Sequence, residues 1–380
     1  MDLETPVVPR PTGRGSTEQV NMARAIDPNA DATQPPQEEP PSLGRRLLQP
    51  RTLISFGIAI LVMGLLIRGL DISFSEVWTQ IKGADKPLLA AAFAAYYVGI
   101  LLRAIRWRMM LERAGVTEEA GLTVPSVAST WQMIVLSLFV NCIVPARLGD
   151  AYRSFLLKDR NKVSFGVSFG TILAERLIDV VVMVGVVLVA GMLVFGTHAP
   201  GRAEQAFLLG MAVVVLGVVG AACLYLMRDR IERMLPDRFS GHYKRLNQGI
   251  FAILSRPLPY MGLGVFVWLL DGLRVLWVAQ SLGAELTFSE AVVVALLSAL
   301  VTIIPFTPAG VGFVEGFMIW ILPQFGIAQS TAVAIALLDR SITFLSLIVV
   351  GVVLYVINLR RGADDDFREA ERRELRHEPL

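Results

Sequence analysis

Ionisable residues stand inside stretches of this chain that are otherwise apolar, and their types and spacing decide which chemistry is open to it. Arg147, Asp150 and Arg153 surround the turn Pro145-Ala146-Arg147-Leu148-Gly149, and Glu175, Arg176 and Asp179 follow on the next apolar run. On a helix Glu175 and Asp179 share a face, with Arg176 turned about 100° from Glu175. A comparable set, Glu315, Asp339 and Arg340, comes later, around and after Pro308-Ala309-Gly310-Val311-Gly312. Charges at bilayer depth are costly unless paired or hydrated, so they mark an interior site. Guanidinium groups grip phosphate oxygens through forked hydrogen bonds, which suits Arg147, Arg153, Arg176 and Arg340 to a phosphate-bearing ligand. Asp150, Glu175, Asp179, Glu315 and Asp339 could balance that charge or carry protons. Asp150 and Glu175 could instead be the acid-base pair of an intramembrane transferase. A purely structural role, holding helices together, is most natural for Asp271 and Arg274, spaced i, i+3.

Other chemistry finds little support. No Gly-rich nucleotide loop, activated Ser or Cys, or zinc-ligand spacing is visible. Cys142 and Cys223 lie in apolar stretches, where they read as small packing residues, while His198, His242 and His377 fall in predicted loops or the tail. No cofactor, metal or disulfide is expected, and enzyme activity is not. The net charge is +2, and the basic residues sit beside apolar segments instead of forming a free basic arm, so nucleic acid is not an expected partner.

The elements that must position these groups are membrane helices. Of the 380 residues 54% are hydrophobic and only 18% charged, far from the usual globular mix. Runs near the roughly 20 apolar residues of a spanning helix occur at Leu53–Leu70, Leu88–Leu102, Phe169–Phe195, Phe207–Met227, Met261–Ala279 and Ala332–Ile357. Val127–Val144 and Ala291–Leu322 are apolar but interrupted by Pro and Gly, the first at its end by Pro145 and Gly149. Gly149, Gly310 and Gly312 with Pro145, Pro305 and Pro308 call for non-helical backbone, which membranes tolerate only where protein or a wet cavity surrounds it. A central polar cavity is the natural inference. Residues 1–45, rich in Pro and polar groups, read as a disordered tail, and 359–380 as a short charged tail. The first apolar run begins at Leu53, after Arg45, Arg46 and Arg51, so the first helix reads as a retained anchor and not a cleaved signal.

Charge counting then favours a topology. If the two interrupted segments enter and leave on the same side, then Arg45, Arg46 and Arg51, the group Arg103, Arg106, Arg108 and Arg113, the group Arg153, Lys158, Arg160 and Lys162, the loop Arg228–Arg256, and Arg360 and Arg361 all face the cytoplasm. Only Lys82, Lys86 and Arg202 face out. The expected fold is an all-α polytopic membrane protein with about six full spans, two opposed re-entrant hairpins and both termini in the cytoplasm. Eight full spans is the alternative. The interrupted segments also resemble each other: Pro145 to Pro308 is 163 positions, and Glu175-Arg176 to Asp339-Arg340 is 164. Three crossings per half make the second half inverted relative to the first, the repeat logic of many transporters. The transmembrane domain would span residues 50–358, with halves at about 50–197 and 205–358.

At these residues the chain resembles a known family. VNCIVPARLGDAYRSFLL, ILAERLIDVVV, IPFTPAGVGFVEG and LLDRSITF look like the membrane region of the lysylphosphatidylglycerol synthases/flippases, over approximately residues 50–358. The family's Pro-x-Arg-x-Gly-acid-x-x-Arg motif falls on Pro145, Arg147, Gly149, Asp150 and Arg153, and its Glu-Arg-x-x-Asp motif on Glu175, Arg176 and Asp179. Asp150 departs mildly from the commoner Glu. The aminoacyl-transferase domain of the synthases has no counterpart in the sequence. The resemblance therefore implies translocation of an anionic or polyisoprenoid-linked lipid in the cytoplasmic membrane and argues against lipid aminoacylation. A non-transporting partner of a glycolipid or cell-envelope enzyme is the second expectation, and transport of a small solute a further one. Membrane lipids, and an envelope-lipid biosynthetic enzyme, are the partners these readings imply.

Overall fold

The computed structural model describes residues 73–144, 148–195, 237–302 and 307–358, and the single positions 212, 215, 219 and 360. Among the described residues the regular elements are helices. In chain order these are α1 (Phe74–Gly83), α2 (Lys86–Arg113), α3 (Val127–Ile143), α4 (Gly149–Asn161), α5 (Phe165–Phe195), α6 (Asp237–Leu254), α7 (Leu258–Ser281), α8 (Phe288–Val301), α9 (Phe313–Ile321) and α10 (Gln329–Arg340). A π-helical turn at Ser341–Leu345 carries α10 onward, so one continuous helix runs Gln329–Asn358.

Local chemistry starts these helices where the chain needs them. Asp85 caps α2 by accepting from the Leu88 amide at 3.1 Å, and Ser126 caps α3 by accepting from Ser129 at 3.1 Å. Thr287 and Glu290 form a reciprocal capping box on α8. Four helices are long and apolar enough to cross a membrane: Lys86–Arg113, Phe165–Val194, Leu258–Ser281 and Gln329–Asn358. They contain four of the six predicted spans. Leu53–Leu70 and the tail 1–45 lie outside the described residues, as do Phe207–Met227 and the tail 359–380 apart from the single positions 212, 215, 219 and 360. The predicted loop Arg228–Arg256 is in part helical, since it contains α6.

The second interrupted segment folds as a hairpin, α8 and α9, whereas Val127–Val144 is a single helix, α3, that makes its hairpin with α4. With 17 residues α3 is about 25 Å long, and α4, α8 and α9 are shorter, so none reaches across the roughly 30 Å hydrocarbon core alone. Each pair packs side by side, α3 on α4 and α8 on α9. The first hairpin closes at Gly149, whose amide donates to Asn141 Oδ1 at 2.8 Å. A methyl there would overlap the Ser137 carbonyl oxygen. Gly149 lies within α4, so it is required for close approach and not, as its sequence context suggested, for non-helical backbone. The second hairpin does use unusual backbone: Ala309, Gly310 and Gly312 have φ of 49°, 70° and 87°. Pro145 and Pro305 are outside the described residues.

The order α1–α5 repeats as α6–α10: a shorter helix, a long helix, a two-helix hairpin and a second long helix. The repeat is inverted. Along α2, Tyr96, Arg103 and Arg106 meet Arg274, Asp271 and Gly264 of α7, so one series rises as the other falls and the helices are antiparallel. The halves also interlock. Ala174, Ile178, Val182 and Met183 of α5 belong to the apolar core built by α7–α10, while Leu347, on the continuation of α10, belongs to the core of α2–α4. In the same way α6 packs on α5 and α1 on α10, the latter through Gln80, Ser330 and Glu76.

Candidate functional site

Each half builds a network of ion pairs between its long helices and its hairpin. In the first half Arg106 of α2 is fully buried and faces α5, where Nη1 donates to Asp179 Oδ1 at 2.7 Å and Nη2 to Asp179 Oδ2 at 3.1 Å and Glu175 Oε1 at 2.9 Å. The helical periodicity that puts Glu175 and Asp179 on one face is what lets a single guanidinium hold both. The other Glu175 oxygen accepts from Arg153 Nη2 of α4 at 2.7 Å. Arg153 also lies over the Trp107 ring, 4.4 Å from its centroid. The Trp107 indole N–H in turn donates to Thr171 Oγ1 at 3.2 Å. Arg176 points the other way and forks onto Asp150 of α4, with Nε to Oδ2 at 3.1 Å and Nη2 to Oδ1 at 2.8 Å.

The second half repeats this with different residues. Arg274 of α7 pairs with Asp339 of α10, as Arg106 pairs with Glu175. Arg340 Nε donates to Glu315 Oε1 of α9 at 2.8 Å, as Arg176 does to Asp150. Glu315 Oε2 accepts from the Gly312 amide at 2.7 Å, and Arg340 Nη2 donates to the Ala309 carbonyl at 3.1 Å, which fastens the left-handed turn to α10. Arg103 of α2 crosses from the first half into this second network, donating to Asp271 of α7 at 3.1 Å, and Arg274 Nε lies 3.6 Å from the other Asp271 oxygen. Three arginines thus face three carboxylates in each network: Arg106, Arg153 and Arg176 with Glu175, Asp179 and Asp150, then Arg103, Arg274 and Arg340 with Asp271, Asp339 and Glu315. Pairing of this kind is how buried charge becomes tolerable in a membrane helix.

Eight of the nine residues singled out from sequence, Asp150, Arg153, Glu175, Arg176, Asp179, Glu315, Asp339 and Arg340, belong to these networks. The ninth, Arg147, lies outside the described residues. Sequence reasoning missed Arg103 and Arg106, which it placed in a cytoplasmic loop. Here α2 runs on to Arg113, Arg106 is buried, and only from Arg108, paired with Glu112 on an exposed face, do the basic groups turn outward. Arg153, counted with the cytoplasmic group as well as with the site, is buried in α4. The signal that could have found Arg103 and Arg106 is their spacing. Both stand 168 positions before Asp271 and Arg274, with the same i, i+3 interval.

Fold and site together define a polytopic all-α membrane protein made of two inverted halves, each holding buried ion pairs and bridged by Arg103 and Asp271. Residues 52–351 match the lysylphosphatidylglycerol synthase transmembrane region, and the chain belongs to that family. It is 29% identical to the UPF0104 membrane protein MJ1078 of Methanocaldococcus jannaschii, covering 58% of this chain and 94% of the relative. It is 24% identical to the UPF0104 membrane protein PH1989 of Pyrococcus horikoshii, covering 72% and 88%. It is also 27% identical to the glycosyltransferase AglD of Haloferax volcanii over 80% of this chain, which spans about half, 54%, of that relative's length.

Proposed function

We propose that this protein moves a lipid with an anionic head group, a phospholipid or a polyisoprenoid-linked lipid, across the cytoplasmic membrane through the polar region between its inverted halves. The observation that carries this reading is the mirrored pair Asp150–Arg176 and Glu315–Arg340, in which each hairpin acid holds the arginine of the following long helix. Guanidinium forks at membrane depth are matched to phosphate. Opposed hairpins at a repeat interface are where secondary transporters place their substrates. Both termini lie in the cytoplasm on this reading, and the Asp150–Arg176 pair opens as the head group passes. Arg176→Ala, reconstituted into proteoliposomes, is expected to insert normally and to lose transbilayer movement of a fluorescent phospholipid. Retained movement would contradict the assignment.

One observation favours a second reading, a non-transporting partner of a glycolipid or cell-envelope biosynthetic enzyme. A relative named as a glycosyltransferase is matched over about half its length, 54%. Co-purification of such an enzyme, with Arg176 and Glu315 tolerant of substitution, would support it.

A further inference from the structure

Both halves present the same pair, yet the two pairs are tethered differently. In the second half both partners are anchored to the hairpin backbone: Glu315 by the Gly312 amide and Arg340 by the Ala309 carbonyl, with side chains 4% and 12% exposed. In the first half the Arg176 side chain is 36% exposed and that of Asp150 18%. Among the described residues the hydrogen bonds of this pair run only between the two partners, through the fork. The remaining arginines of the first network are committed elsewhere. Arg106 is wholly buried with three bonds, and Arg153 is buried between Glu175 and Trp107.

We propose that Arg176 is the group that receives the ligand's phosphate and that Asp150 is a resident stand-in, a carboxylate that occupies the fork until phosphate oxygens displace it. The matching pair Arg340–Glu315 is a fixed clamp. This inference deepens the transport reading and rests on it in taking the phosphate to be that of a lipid. Carboxylate and phosphate each offer two oxygens to the same guanidinium edge, so exchange preserves the fork. A displaced Asp150 is not stranded, because it stands in the first turn of α4, where free backbone amides favour a negative side chain. Arg176 left alone is not stranded either, since more than a third of its side chain is open.

The test uses the full chain purified in neutral detergent, with short-chain phosphatidic acid as probe and binding read by native mass spectrometry. Diacylglycerol of the same chain length and inorganic phosphate serve as comparisons. Removing the competitor with Asp150→Asn is expected to tighten phosphatidic acid binding by about threefold or more, because the occupied fork lowers the apparent affinity. Arg176→Lys keeps the charge and loses the fork, and is expected to weaken binding by about tenfold. Neither variant should alter diacylglycerol binding. Competition by inorganic phosphate would assign the fork to phosphate in general, and lack of it to phosphate presented on a lipid; either outcome supports the anion site. Weaker binding in Asp150→Asn, or unchanged binding in Arg176→Lys, would overturn it. Should Asp150→Asn not purify as a monodisperse species, Arg176→Lys alone decides. This binding pattern without transbilayer movement would remove the transport reading and leave the fork, whereas movement without the pattern would do the reverse.

Discussion

Arg103 and Asp271 are equivalent positions of the two inverted halves, and they bind each other, at 3.1 Å. Such a contact arises where two matching antiparallel helices, here α2 and α7, cross at the axis that relates them. Because the repeat is inverted, exchanging the two residues places each charge where the other was. Single reversals, Arg103→Asp or Asp271→Arg, are expected to destabilise the protein, and the double swap to recover most of the loss. The coupling should be about 1 to 3 kcal/mol, from a double-mutant cycle on thermal unfolding in detergent. A coupling near zero would remove the pair from the account of how the halves are joined.

Arg106 holds two carboxylates from a fully buried position, so removing it leaves Asp179 without a partner and Glu175 with Arg153 alone. Arg106→Leu is expected to cost about 3 to 5 kcal/mol or to prevent accumulation of folded protein. Arg106→Leu combined with Asp179→Asn should be less damaging than Arg106→Leu alone, because Glu175 keeps Arg153. Thermal melting of the purified variants checks both statements.

Two glycines should respond in opposite directions to the same added methyl. Gly149→Ala drives a methyl into the Ser137 carbonyl and is expected to cost about 1 to 3 kcal/mol, loosening the α3–α4 hairpin. Gly99, within α2, has open space beside it, and Gly99→Ala is expected to leave stability unchanged or raise it by about 0.5 to 1 kcal/mol. Melting temperatures that fall equally in both variants would contradict the packing described for Gly149.

The different tethering of the two forks predicts different stability costs. Arg340→Lys would release both Glu315 and the left-handed Ala309 turn, whereas Arg176→Lys would release only Asp150. The drop in melting temperature should therefore be larger for Arg340→Lys. Equal drops would mean that the backbone anchors of the second hairpin contribute little.

How much of this was legible in the sequence depended on whether a feature is local. The hairpins announce themselves through Pro and Gly at matched positions, and the acid-arginine pairs recur at nearly constant offset, so the repeat and eight of the paired residues could be read directly. Arg103 and Arg106 left only the spacing they share with Asp271 and Arg274 as a signal, because a basic cluster at the end of an apolar run looks the same whether the helix stops or continues. Only α5, facing Arg106 with Glu175 and Asp179, supplies the reason for the helix to carry a buried arginine. Gly149 shows the same limit: its neighbours suggest a turn, while its real constraint is the Ser137 carbonyl on another helix. The partner of each arginine is likewise a matter of packing. Adjacent residues Glu175 and Arg176 turn to different partners, one to Arg106 and Arg153 and the other to Asp150.

On the proposed reading, a lipid head group passes through the region between the halves. The most direct test is transbilayer movement of fluorescent lipids with varied head groups, including a polyisoprenyl phosphate, in proteoliposomes. Wild type would be compared with Arg176→Ala and Glu315→Gln, with and without an imposed pH gradient. Wild type is expected to move at least one phosphate-bearing lipid, with movement lost in Arg176→Ala and reduced in Glu315→Gln, from preparations that are equally folded. No movement of any of these lipids by well-folded wild type, or movement that both variants retain, would contradict that reading.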